Sequence, residues 1–139
     1  MCSSDLRGCR DLTSVEVPYS IASALPSLTV LDITNEVRHE LRDSGHADGI
    51  AYVSPLDEVG LVRVQERETG FFSDLEELLT RLVPQEERDR ERLLCMLLGP
   101  RTEQIPFSGG DLCLGQWQRI LLLGFDRPTQ PRWELTLLG

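Results

Sequence analysis

Only three stretches of helical spacing interrupt the short strand-like runs of this chain, and their order fits no regular alternation of strand and helix. Thr13 to Tyr19 alternates apolar and polar residues (Val15, Val17, Tyr19), the two-residue period of a half-buried strand. Leu28 to Ile33 is rich in β-branched residues and reads as a second strand. A helix is predicted to start near Thr34 or Asn35, both good N-caps, with Val37 and Leu41 one turn apart and Gly45 as its stop. Gly49 to Ser54 and Gly60 to Gln65 are expected strands joined through Pro55 to Val59. Phe71, Phe72, Leu75, Leu78, Leu79 and Leu82 recur at helical spacing up to Pro84, which cannot continue a helix. The charged run Glu86 to Arg92 leads into Leu93 to Leu98, a further helix ending at Gly99-Pro100, and the run itself reads as a solvated face with i,i+4 pairs. Strands return at Gln104 to Phe107, Leu112 to Leu114, Gln118 to Leu123 and Arg132 to Leu138, with turns at Ser108 to Asp111 and Asp126 to Pro131. In coarse order this is β-β-α-β-β-α-α-β-β-β, too irregular for a βαβ parallel fold and pointing to α+β.

Composition narrows the function. Of 139 residues, 40% are hydrophobic and 27% charged, enough for one domain with its own core. The net charge of −9 argues against nucleic acid or an anionic membrane as partner, since both need a basic face. All 14 basic residues are Arg, so lysine Schiff-base chemistry and a P-loop lysine are excluded. No apolar run nears the roughly 20 residues of a membrane helix, and the start lacks the pattern of a signal peptide, so a cytoplasmic location is expected. None of Cys2, Cys9, Cys95 and Cys113 shows CxxC spacing, and Cys95 and Cys113 sit in apolar runs as expected small core residues. Met1 to Leu6 is what the end of a common sequencing-library adapter encodes, so residues 1–12 are expected to be a non-native or disordered segment ahead of a single domain over 13–139.

Two blocks carry a family resemblance. The first is Leu31-Asp32-Ile33-Thr34-Asn35-Glu36-Val37, then Ser44-Gly45, then Asp48-Gly49-Ile50. The second is Leu97-Leu98-Gly99, then Ile105-Pro106, Gly110, Leu112 and Leu114-Gly115-Gln116-Trp117-Gln118, with Arg81-Leu82-Val83-Pro84 between the two. Over roughly residues 28 to 139 the chain is similar to the YjbQ-like (secondary thiamine-phosphate synthase) family, whose blocks read IDIT-x-x-V…SG…DG and SLLG…P…G-x-L-x-LGTWQ. The resemblance implies a two-sheet β-sandwich with helices at one side, a homotrimer, and a weak activity joining a pyrimidine diphosphate to a thiazole phosphate.

The chain departs from the family where that chemistry would lie. By position, one family His falls on Asp57 and another on Arg92; a third has no counterpart in the shortened stretch after Leu82-Val83-Pro84. The family's acidic residue after Trp-Gln falls on Gly124, and its Thr before the Trp is Gln116. The two histidines present, His39 and His46, lie away from every matched motif and are expected at the surface. Arg stays protonated, so Arg92 is a poor general base and no metal ligand, and no metal or other cofactor is expected. Arg92 retains the ability to hold a phosphate bidentately. Asp57 and Arg92 either form an ion pair that fills the old pocket or are each solvated. Glu66 and Gln118 are the candidate catalytic residues, and Asp57, Arg92 and Trp117 the candidate ligand-binding ones; equally, Trp117 reads as core or interface, Gln118 as a partner for backbone groups and Glu66 as paired with an Arg. The expected function is a trimeric binding or structural protein with lost or weakened catalysis and a possible small phosphorylated ligand; the alternative is residual thiamine-phosphate synthase activity through Glu66, Gln118 and Arg92.

Overall fold

The structure, a computed structural model, describes residues 5–11, 27–125 and 132–139. Eleven elements follow in order: β1 (Asp5–Asp11), β2 (Leu28–Asp32), α1 (Thr34–Ser44), β3 (Gly49–Pro55), β4 (Leu61–Glu66), α2 (Thr69–Leu82), α3 (Arg90–Leu98), β5 (Glu103–Ser108), β6 (Asp111–Leu112), β7 (Gln118–Phe125) and β8 (Arg132–Leu138). The expected order holds, and the strand expected at Leu112 to Leu114 is the shorter β6, Asp111–Leu112. The strand expected at Thr13 to Tyr19 and the turn expected at Asp126 to Pro131 lie outside the described residues. Asp5–Asp11, within the stretch expected to be non-native or disordered, pairs with β8 at a sheet edge, its register shifting between Arg7 and Arg10.

The strands form two antiparallel sheets, one ordered β1-β8-β3-β5-β6 and the other β2-β7-β4. The period-2 rule explains what lies between them. Ala51 and Val53 of β3, Ile105 and Phe107 of β5, and Trp133, Leu135 and Leu137 of β8 alternate with half-buried or exposed residues and point to one core. Val37 and Leu41 of α1 enter that same core, as their spacing predicts.

The small sheet is covered on both faces. Ile120, Leu121, Leu122 and Leu123 of β7 are therefore all buried, a continuous apolar run instead of an alternating one. Ile120 and Leu122 join the core between the sheets, while Leu121, Leu123 and Phe125 meet Phe72, Leu79, Val83 and Leu94 from α2 and α3. At about 1.5–3 kcal/mol for each fully buried large apolar side chain, these two clusters hold the fold. No described helix is long and apolar enough to cross a membrane.

Local chemistry sets the helix ends, in part differently from expectation. α1 begins at Thr34, and the residue before it, Ile33, offers no capping side chain; Asp32 accepts the Thr34 N–H instead. Gly45 closes the helix at φ 77°, where a Cβ would be strained, its N–H donating to the Arg42 carbonyl. α2 starts behind Glu68, whose carboxylate accepts the N–H groups of Gly70 and Phe71 at 2.9 and 2.6 Å. α3 begins only at Arg90, because Pro84 opens a turn in which the Glu87 N–H donates to the Pro84 carbonyl. Arg90 is not part of a solvated face: it is 3% exposed, with Nε donating to the Val83 carbonyl at 2.8 Å. Cys95 packs half-buried against the α2–α3 core, but Cys113 is exposed, since Leu112 and Leu114 on either side of it take the inward positions.

Candidate functional site

Asp32 stands at the end of β2 with its Cα opposite Leu121 of β7. Two residues along an antiparallel neighbour lies on the same face within reach of a long side chain, and that residue is Arg119. Arg119 Nε donates to Asp32 Oδ2 at 2.7 Å, and Arg67, just beyond β4, donates from Nη1 to the same oxygen at 2.7 Å. Oδ1 accepts from the Thr34 N–H at 3.0 Å and the Thr34 hydroxyl at 2.7 Å. The Thr34 hydroxyl oxygen in turn accepts the Ile120 N–H at 2.8 Å. One carboxylate thus ties together β2, the start of α1, β7 and the segment after β4. Its side chain is 5% exposed, against 29% for each guanidinium. Burial pushes the Asp32 carboxyl up, but the hydrogen bonds from Arg119 and Thr34 and the charge of Arg119 outweigh it, and the carboxyl titrates below its ordinary range.

Asn35, Glu66, Arg67, Gln116, Trp117 and Arg119 line a pocket of about 500 Å³ over this cluster. Trp117 is 67% exposed. The turn beneath it is pinned by Gln118, whose side-chain carbonyl accepts the Gly115 N–H at 2.6 Å and whose own N–H donates to the Gly115 carbonyl at 3.1 Å. Glu66 and Gln118 are direct cross-strand partners between β4 and β7. The pocket and its floor carry two carboxylates, Asp32 and Glu66, and two guanidiniums, Arg67 and Arg119. Such a site suits a ligand with an anionic group for the guanidiniums and a donor or cation for Glu66, and the Trp117 ring offers a flat face to an aromatic or cationic body.

Of the residues singled out from sequence, the structure brings together Glu66 and Trp117 as pocket lining, with Gln118 beside them as the residue that holds the Trp117 turn. Trp117 is therefore not a core residue of the chain. Asp57 and Arg92 stand apart from the pocket and from each other's charge. Asp57 Oδ1 lies 3.5 Å from Arg132 Nη2, and its carbonyl accepts from Arg101. Arg92, with its side chain 78% exposed, pairs at 3.4 Å with Asp89, one turn back on the same helix. Within the chain the Asp57–Arg92 ion pair does not form: each side chain has its own partner. His39 pairs with Asp43 at the surface of α1, and His46 Nδ1 contacts the Ser44 hydroxyl at 3.2 Å. Among the described residues no three His, Cys, Asp or Glu side chains are grouped to hold a metal.

Asp32, Asn35, Arg67 and Arg119 are the site residues that the sequence reading missed. The signal for them was proximity: Asp32 and Asn35 lie in the matched block Leu31–Val37, Arg119 directly follows the matched Trp117-Gln118, and Arg67 directly follows the candidate Glu66.

Comparison with known proteins agrees with this architecture. The sequence profile of the family described as "UPF0047 protein YjbQ-like" matches residues 23–139. A UPF0047 protein of Archaeoglobus fulgidus is 34% identical over 113 residues, covering 74% of this chain and 86% of the relative. One from Methanothermobacter thermautotrophicus is 28% identical over 119 residues, covering 79% and 82%. Among solved structures, a YbjQ-like protein of unknown function from Sulfolobus solfataricus superposes with a TM-score of 0.72 at 18% identity, covering 100% of this chain and 96% of that one. A yjbq/upf0047 family protein from Clostridium acetobutylicum gives 0.68 at 22%, covering 99% of each. With these matches over most of its length, and with both motif blocks folded around one pocket, the chain belongs to the YjbQ-like UPF0047 family.

Proposed function

We propose that this chain binds a small phosphorylated ligand bearing a flat ring in the pocket of Glu66, Arg67, Trp117 and Arg119, as a trimeric protein with weakened catalysis. The observation that carries the reading is Trp117, 67% exposed beside two guanidiniums that Asp32 already orients. An exposed indole next to fixed planar cations is a stacking platform with a phosphate clamp. Weakened catalysis follows from Asp57 and Arg92, which stand at the family's His positions and away from the pocket. Neither replaces a histidine: Arg92 is a poor general base and no metal ligand, and Asp57 lies 3.5 Å from Arg132.

Residual thiamine-phosphate synthase activity is the second reading. What favours it is the pocket itself, polar and of a size ordinary for a small-molecule site, with Glu66 as the one wall carboxylate able to exchange a proton. Within one chain Arg92 stands outside that pocket, beside Asp89. A thermal-shift titration with thiamine phosphate, its two precursors, inorganic phosphate and zinc tests the binding reading. Thiamine phosphate and the phosphorylated precursors are expected to raise the melting temperature with concentration, with zinc having no such effect. No rise with any phosphorylated compound sinks it.

A further inference from the structure

The helical spacing of Phe71, Phe72, Leu75, Leu78, Leu79 and Leu82 leaves open which of them form the inner face of α2. In the structure that face belongs to Phe72 and Leu79, each 2% exposed, while Phe71, Leu78 and Leu82 are 45%, 45% and 58% exposed. Phe71, Leu75, Leu78 and Leu82 are spaced by four, three and four residues, the spacing of a coiled-coil seam, so they form one stripe along the flank of the helix. Phe71 and Leu75 also form one bank of an apolar groove whose other side includes Leu98 of α3. A stripe of this kind on an otherwise charged chain marks a place where another helix lies.

The charges on its rim say which helix. Asp74 and Arg81 are seven residues apart and occupy equivalent positions beside the stripe. If a second copy of α2 packs antiparallel, with Phe71 opposite Leu82 and Leu75 opposite Leu78, the rim positions that meet are Asp74 of each copy and Arg81 of the other. Both ends then carry an opposite-charge pair, and the arrangement is its own complement, as a two-fold interface must be. A parallel arrangement, including one about a three-fold axis, puts Asp74 level with Asp74 and Arg81 level with Arg81. Among the described residues Arg81 has one long ion-pair contact, 3.9 Å to Glu77, and its side chain is 71% exposed and able to reach across.

We infer that α2 is a two-fold self-association surface: two copies of this chain pair their α2 helices antiparallel through Phe71, Leu75, Leu78 and Leu82, with an Asp74–Arg81 ion pair at each end. This contact is separate from the trimer proposed above. It multiplies the assembly by two, giving a hexamer if the trimer forms and a dimer if it does not.

Light scattering on the full chain during size-exclusion chromatography tests it. The wild-type mass is expected to be that of a dimer or a hexamer. Leu78→Glu, at an exposed position that leaves the core intact, is expected to halve it. Asp74→Arg is expected to weaken the pairing, and Asp74→Arg combined with Arg81→Asp to restore it. A wild-type monomer or trimer, or a mass unchanged by Leu78→Glu, overturns the two-fold surface. Loss with Leu78→Glu but no rescue by the charge swap overturns the antiparallel register. The trimer reading fails separately, if the factor of three is missing from the wild-type mass.

Discussion

Asp32→Ala is expected to lower the unfolding free energy by about 3 kcal/mol at neutral pH, because it leaves two guanidiniums without their shared carboxylate and Thr34 without its acceptor. The carboxylate is 5% exposed and the guanidiniums 29%, so solvent screens the loss only in part. Urea unfolding followed by circular dichroism measures it, with Arg92→Ala as the control: that side chain is 78% exposed and pairs only within its own helix, so its removal should stay within about 0.5 kcal/mol. The same carboxylate gives an acid dependence. Its folded value is held below the ordinary 3.8, so the folded state binds the Asp32 proton more weakly than the unfolded chain does. The stabilisation is complete above that ordinary value and is lost as pH falls below it and through the folded value. Asp32→Asn is therefore expected to be less stable than wild type at pH 7 and to lose less on acidification to pH 3. Parallel pH profiles for the two proteins would mean that the carboxylate is not held as described.

Trp133→Ala is the other large effect, about 4 kcal/mol. Trp133 is 0% exposed near the start of β8, opposite Pro55, in the core cluster that also holds Val53, Leu135 and Leu137. Its indole N–H is buried with no acceptor among the described residues. That sets the sign of a second substitution: Trp133→Phe keeps most of the ring volume and removes a desolvated donor, so it should recover most of the loss. The two midpoints in urea, at constant slope, give the comparison. A Trp133→Phe as damaging as Trp133→Ala would mean that the indole N–H has a partner.

The fold was legible where a period spoke alone. Val37 and Leu41 located the buried face of α1, and the β-branched run Leu28 to Ile33 located β2. The four-residue run Ile120–Leu123 was readable as strand, but its burial on both faces depends on where α2 and α3 pack, which no local pattern states. Helix starts were read less well, because the residues that satisfy the first N–H groups are Asp32, two positions before α1, and Glu68, which is not a usual cap. On α2 the apolar residues occupy more than one face, and composition alone cannot separate Phe72 and Leu79, which enter the core, from Phe71, Leu78 and Leu82, which do not. The site was half legible. Glu66 and Trp117 were candidates from the sequence, Trp117 from a matched block. Arg67 and Arg119 became visible only through strand register, which sets Arg119 diagonal to Asp32, and within one chain Asp57 and Arg92 lie outside that pocket, since motif counting gives position in a family pattern and not position in space.

We propose a phosphorylated ring as the ligand of the pocket beside Trp117. Isothermal titration of the full chain with thiamine phosphate, for wild type and Trp117→Ala, tests it most directly, since the exposed indole supports no core packing and its loss leaves the fold unchanged. Saturable binding by wild type, weakened roughly tenfold or more in Trp117→Ala at an unchanged melting temperature, is the predicted result. Equal affinity in the two proteins, or no binding by wild type, would contradict it.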